Sequence, residues 1–107
     1  MRKLVFQQGD VLLYRVNNIP KGEKIDSQNN EYILAEGEVT GHKHKIVANN
    51  FVTMIKADNG QVYLQLKIPT PLKHDEHHII IIEPGKYEVG KVRERDHFER
   101  ITREIID

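Results

Sequence analysis

The chain contains no cysteine. Disulfides, thiolate metal sites and a cysteine nucleophile are therefore excluded. A charge of one sign is also lacking: sixteen Lys and Arg cancel sixteen Asp and Glu. No global field draws the chain to nucleic acid or an anionic membrane, although a local basic face is not excluded. Long apolar runs are missing too. Leu4-Val5-Phe6 gives way at once to Gln7-Gln8-Gly9-Asp10, so there is no signal-peptide apolar region and no stretch of membrane-spanning length. No phosphate-cradling glycine loop, serine-centred triad motif or zinc-finger spacing is present. Nor is there an aromatic-rich basic strand of the kind that RNA-binding sheets use. The expectation is a cytoplasmic, non-membrane protein acting on a small molecule, with a nucleic-acid partner unsupported by the net charge.

What is present reads as one β domain over residues 1–107. The chain is 38% hydrophobic and 30% charged, which fits an ordinary folded domain able to bury one core. Gly9-Asp10 launches a strand from Val11 to Val16, and the polar segment from Glu23 to Asn30 reads as a loop. A strand from Tyr32 to Glu38 follows, then another through Lys45 to Ala48. Asn49-Asn50 suggests a type I′ hairpin into a strand from Phe51 to Ala57, and Asp58-Asn59-Gly60 makes a second hairpin turn. Val62, Leu64, Leu66 and Ile68 alternate as an inward face. Pro69 and Pro71 mark an edge, a crossing or a bend. Ile79 to Ile82 does not alternate, which predicts burial on both faces or a strand in a homodimer sheet. Pro84-Gly85 turns the chain into Tyr87 to Val92, where Gly90 marks a bulge. In the charged tail, Phe98, Ile101 and Ile105 fit a short helix, while Ile101 and Ile105 also fit a strand. The fold class is all-β, a small antiparallel barrel or sandwich.

The candidate chemistry lies in the histidines. Five of the six fall in His42-Lys43-His44 and His74-Asp75-Glu76-His77-His78. Residues two apart on a strand face the same way, roughly 7 Å apart by the strand rise. His42 and His44 can thus aim at one ion while Lys43 turns away. If the chain bends at Asp75-Glu76, His74 and His77 face inward together; if it stays straight, His74, Glu76 and His78 share a face. Imidazoles with an open position suit zinc, or iron, manganese or nickel, and a carboxylate nearby can act as base toward bound water. The expected metal ligands are His42, His44, His74 and His77, with Glu76 and Glu38 as the candidate catalytic bases. His97, alone in the tail, reads as solvent-exposed.

Two resemblances arise at these residues. The run from Leu34 to His44, the Leu72 to His77 segment, Pro84-Gly85-Lys86-Tyr87 and Arg93-Glu94-Arg95-Asp96 resemble a family of small uncharacterised bacterial and phage proteins. Those share an opening Gln-Gly-Asp-Val-Leu (here Gln8 to Leu12), a Gly-His-x-His element and a His-x-Glu-His element. The resemblance implies His42, His44, His74, Glu76 and His77 as motif positions, with His78 outside the motif, and implies no activity. In the layout Gly37, His42, His44 and a later His77 the chain is also loosely similar to cupins. The glutamate that cupins place after the His-x-His pair has no counterpart between Val47 and Asn50.

Three functions compete on this reading. One is a metal-binding barrel, either a hydrolase with Glu76 or Glu38 as base or a small-ligand binder. The second is a metal-free ribonuclease in which two imidazoles exchange protons and Lys43 or Lys73 steadies a phosphate. The third is a non-enzymatic protein-binding module of phage origin whose histidines are incidental.

Overall fold

In the computed structural model, residues 3–36 and 41–92 are described. They form ten strands and no helix: β1 (Lys3–Gln8), β2 (Val11–Arg15), β3 (Gly22–Lys24), β4 (Glu31–Glu36), β5 (Lys43–Val47), β6 (Val52–Ala57), β7 (Val62–Leu66), β8 (Thr70–Leu72), β9 (Ile80–Ile82) and β10 (Gly85–Lys91). Six pair antiparallel in the order β1-β2-β10-β7-β6-β3. The other four pair as β4-β5 and β8-β9. A backbone bridge between Lys45 and Lys73, with both N–H···O distances 2.9 Å, links β5 to β8 and joins these two ladders into a second layer.

The layers pack face to face on the alternation that the sequence carries. Val11, Leu13, Met54, Leu64, Leu66 and Tyr87 of the large sheet meet Ile46, Leu72 and Ile82 of the small one. Each apolar side chain so buried contributes about 1.5–3 kcal/mol. The sheet ends at β1 and β3 without closing on itself, so the all-β expectation is met as an open, sandwich-like arrangement. The tail beyond Val92, with the helix-or-strand segment, lies outside the described residues, as do Glu38 and His97.

Several local expectations are corrected. Asn49-Asn50 is not a hairpin: β5 and β6 belong to different layers, and the chain crosses between them there. Asn49 holds the crossing by accepting the Phe51 N–H on its Oδ1 at 2.8 Å. The turn with two positive φ angles is Asn29-Asn30, at 52° and 63°. It is closed by reciprocal backbone bonds between Gln28 and Glu31. The same dipeptide takes either role, and the pairing of its flanks decides which. Within the expected loop, β3 is an exposed edge strand whose backbone pairs Gly22 to Ala57 and Lys24 to Ile55, which needs no apolar pattern. Ile79 and Ile81 are 58% and 55% exposed while Ile82 is fully buried. The isoleucine run therefore alternates and is not covered on both faces. Ile68 is also exposed, because the chain leaves the large sheet after Leu66 to cross into β8. Gly90 pairs in register with Leu12 and is not a bulge. A Cβ there would stand 3.1 Å from the Tyr14 ring, so the glycine makes room for that ring.

Candidate functional site

Three segments meet at one end of the sandwich: the β1–β2 turn, the start of β5 and the β8–β9 turn. The last bends at Asp75 to His77, the bent form of the two arrangements weighed above. It brings His74 and His77 to the pair on β5. Ring centroids of His44 and His74 lie 4.2 Å apart, His74 and His77 4.4 Å, His42 and His74 5.7 Å, and His44 and His77 5.9 Å. All four expected histidines are gathered. His78 is exposed and contributes its backbone carbonyl instead.

His44 is almost wholly buried, at 3% exposure, and its orientation follows from Gln8. The Gln8 amide nitrogen donates to the backbone carbonyls of Leu72 at 2.9 Å and His78 at 2.8 Å. Those two acceptors fix which end of the amide is nitrogen, and the opposite oxygen faces His44 Nδ1 at 2.9 Å. His44 must therefore donate from Nδ1, and in the neutral ring Nε2 carries the lone pair. That lone pair stands 3.3 Å from Asp10 Oδ1. Burial first, and then the neighbouring His74, hold His44 below the usual imidazole range, against the opposing pull of Asp10.

The partner histidine repeats the pattern on the surface. His42 Nδ1 lies 3.4 Å from Glu76 Oε1, an acceptor that favours the tautomer of the neutral ring with its hydrogen on Nδ1. His74 is opposite in sense. Its Nδ1 accepts the backbone N–H groups of Glu76 at 3.0 Å and His77 at 3.2 Å. The neutral ring then keeps its proton on Nε2. Burial and the charges of His77 and His42 hold His74 below the usual range as well.

Gly9 completes the contact between the turn and the rings. Its φ is +55°, and a Cβ there would stand 2.5 Å from His77 Nε2 and 3.3 Å from His44 Cε1. Only a glycine lets the backbone approach both rings in that conformation. Among the described residues, no three His, Asp or Glu side chains are drawn together as a ready-made metal cage.

Sequence reasoning passed over Gln8, Gly9 and Asp10 as site residues. Gly9-Asp10 was legible only as a turn, and nothing local says that the turn faces a histidine 34 positions on. The signal that could have found them was the Gln8-Gly9-Asp10-Val11-Leu12 element, already set beside the histidine segments in the resemblance drawn from the sequence.

Fold and site together define a small two-layer β protein with a histidine cluster at one end. The chain belongs to the family described as Domain of unknown function (DUF8820), whose model matches residues 7–92. That span takes in every site residue named in this subsection. No curated protein and no solved structure matches the chain.

Proposed function

We propose that the histidine cluster binds a divalent transition metal, zinc foremost, and uses it to hold or hydrolyse a small molecule. The observation that carries this reading is the pair of acceptors at the Nδ1 atoms of His42 and His44. Metal-ligating histidines characteristically donate their second ring nitrogen to a carbonyl or carboxylate, which fixes the tautomer and aims the other nitrogen at the ion. Gln8 and Glu76 occupy those two positions. Both rings are thereby set to coordinate through Nε2, with Asp10 supplying a carboxylate beside one of them.

The spacing supports the same reading. An imidazole bound at about 2.0–2.1 Å puts its ring centre about 3 Å from the metal, and two such rings then stand roughly 5 Å apart. The His44–His77 centroid separation of 5.9 Å lies close to that value. Side-chain rotation of the exposed His77 and the partly exposed His42 is needed to complete the set, with no movement of the buried His44. Donors of imidazole and carboxylate type suit zinc, and also iron, manganese or nickel. A water on such a centre is acidified toward neutral pH, which makes hydrolysis the reaction class. Glu76 serves here to orient His42.

Elemental analysis of protein purified without chelator, then dialysed against excess zinc, tests the proposal. One equivalent is expected in the wild type and none in His42→Ala or His44→Ala. A folded wild type that takes up neither zinc nor nickel, manganese or iron would overturn it. A second reading would then come forward, because His74 is arranged as a proton donor beside His44 as a proton acceptor. That is the pairing a metal-free phosphodiester cleavage requires, and it would be assayed on RNA.

A further inference from the structure

The four histidines are not equivalent. In His42 and His44 the acceptor sits at Nδ1, whereas in His74 the donors do. Two backbone N–H groups point at His74 Nδ1, so that nitrogen is already engaged as an acceptor. Its Nε2 holds the proton of the neutral ring and offers no lone pair. For His74 to coordinate a metal through Nε2, the ring would have to lose that proton too and become an imidazolate. To coordinate through Nδ1, it would have to release both backbone donors and open the Asp75–His77 bend.

We infer that His74 is not a ligand but a fixed hydrogen-bond donor, set to hold a small oxyanion bound on the metal. The inference rests on the metal reading above and divides its residues: His42, His44, Asp10 and His77 hold the ion, and His74 meets what the ion binds. The chemical class follows from the donor. A single N–H beside a divalent cation complements an anion with at least two oxygens, one for the metal and one for the N–H, such as phosphate, phosphonate or carboxylate. The bond from His74 is stronger to a charged oxygen than to a neutral one, which favours an anion. The centroid contacts of 4.2 Å to His44 and 4.4 Å to His77 put the ring within reach of an anion bridging the ion that those two would share.

The separating substitution is His74→Asn. An asparagine Oδ1 can accept the same two N–H groups as His74 Nδ1 does, since Asn forms such local turns readily, but it has nothing at the position of Nε2–H. The turn is preserved and the donor at Nε2 is lost, the amide N–H groups of asparagine lying instead where the ring carries Cδ2. Zinc stoichiometry and phosphate affinity are read together by calorimetry on the full chain, with long-range proton–nitrogen NMR reporting each histidine's tautomer. In the metal-free wild type, His44 is expected to be protonated on Nδ1 and His74 on Nε2. His74→Asn should keep one equivalent of zinc within a few-fold of the wild-type affinity and weaken phosphate by about tenfold or more. His44→Ala should lose zinc.

If His74→Asn loses zinc along with His44→Ala, His74 is a ligand and the inference fails while the metal reading stands. An Nδ1-protonated His74 in the metal-free protein overturns it as well. If His74→Asn keeps wild-type phosphate affinity, the donor role is refuted. A wild type that binds no metal removes both the inference and the reading beneath it.

Discussion

Gln8 shows how one uncharged side chain sets the chemistry of another. Its amide nitrogen holds two backbone carbonyls and its oxygen holds the His44 proton, all in a nearly buried setting. Gln8→Leu removes these bonds and leaves the Leu72 carbonyl without that donor. A loss of about 1–3 kcal/mol in denaturant unfolding is expected for the buried groups left unpaired. Zinc affinity should fall by about 10–100-fold, the cost of losing an outer-shell partner, and calorimetry reads this directly. A second buried polar residue lies at the other end of the core. Burial pushes the Tyr87 phenol up, with Arg15 opposing and Glu83 assisting, while its hydroxyl donates to the Glu83 carbonyl and accepts from Arg15 at 3.0 Å. The folded chain thus holds this proton more tightly than the unfolded chain does. Stability from Tyr87 is complete below about pH 10 and is lost as pH rises from there through the higher folded value. Urea titrations of wild type and Tyr87→Phe should differ by a constant amount up to about pH 10, and the difference should shrink above it.

At the scale of elements, alternation was the legible signal and pairing was not. Leu64 and Leu66 were readable as an inward face, and Asp58-Asn59-Gly60 as a hairpin with Gly60 at φ +88°. Asn29-Asn30 and Asn49-Asn50 were not separable, because each is polar and turn-forming and only the partners of their flanking strands distinguish them. Asn30→Ala places a Cβ-bearing residue without the local side-chain compensation of asparagine at φ 63°, and should cost about 1 kcal/mol. Asn50→Ala, at the crossing, should change stability by less than about 0.5 kcal/mol. Thermal melts of the two variants compare them. The site shows the same division. The histidines announced themselves by spacing, whereas Gln8 and Asp10 act through a turn whose neighbours are 34 or more residues away. The run Ile79 to Ile82 gave the opposite lesson: four isoleucines in a row concealed an alternation that burial restores, with Ile82 inside and Ile81 outside.

Across the whole molecule, the candidate site is where both layers touch through polar groups. Asp10 belongs to the turn of the large sheet, and the histidines to β5 and the β8–β9 turn of the small layer. An ion held there would tie the two layers together and favour the folded state by mass action. Free zinc at a hundred times its dissociation constant should raise unfolding stability by about 2.7 kcal/mol. The rise should be absent in His44→Ala and reversed by chelator. Hydrogen exchange should slow in all three segments at once. Among the described residues no helix is long and apolar enough to cross a membrane.

The three bonds of Gln8 reach partners 36, 64 and 70 positions ahead in the chain. Closing spans of that length is entropically slow compared with zipping adjacent hairpins. During synthesis, β1 and β2 can pair as soon as they emerge. Asp10 and the Gln8 oxygen then find no partner until His44 emerges, and the Gln8 amide nitrogen none until Leu72 and His78 do. The site is consequently assembled from three segments that become available at different times. A chain interrupted before His78 carries the His-x-His pair with its tautomer unset.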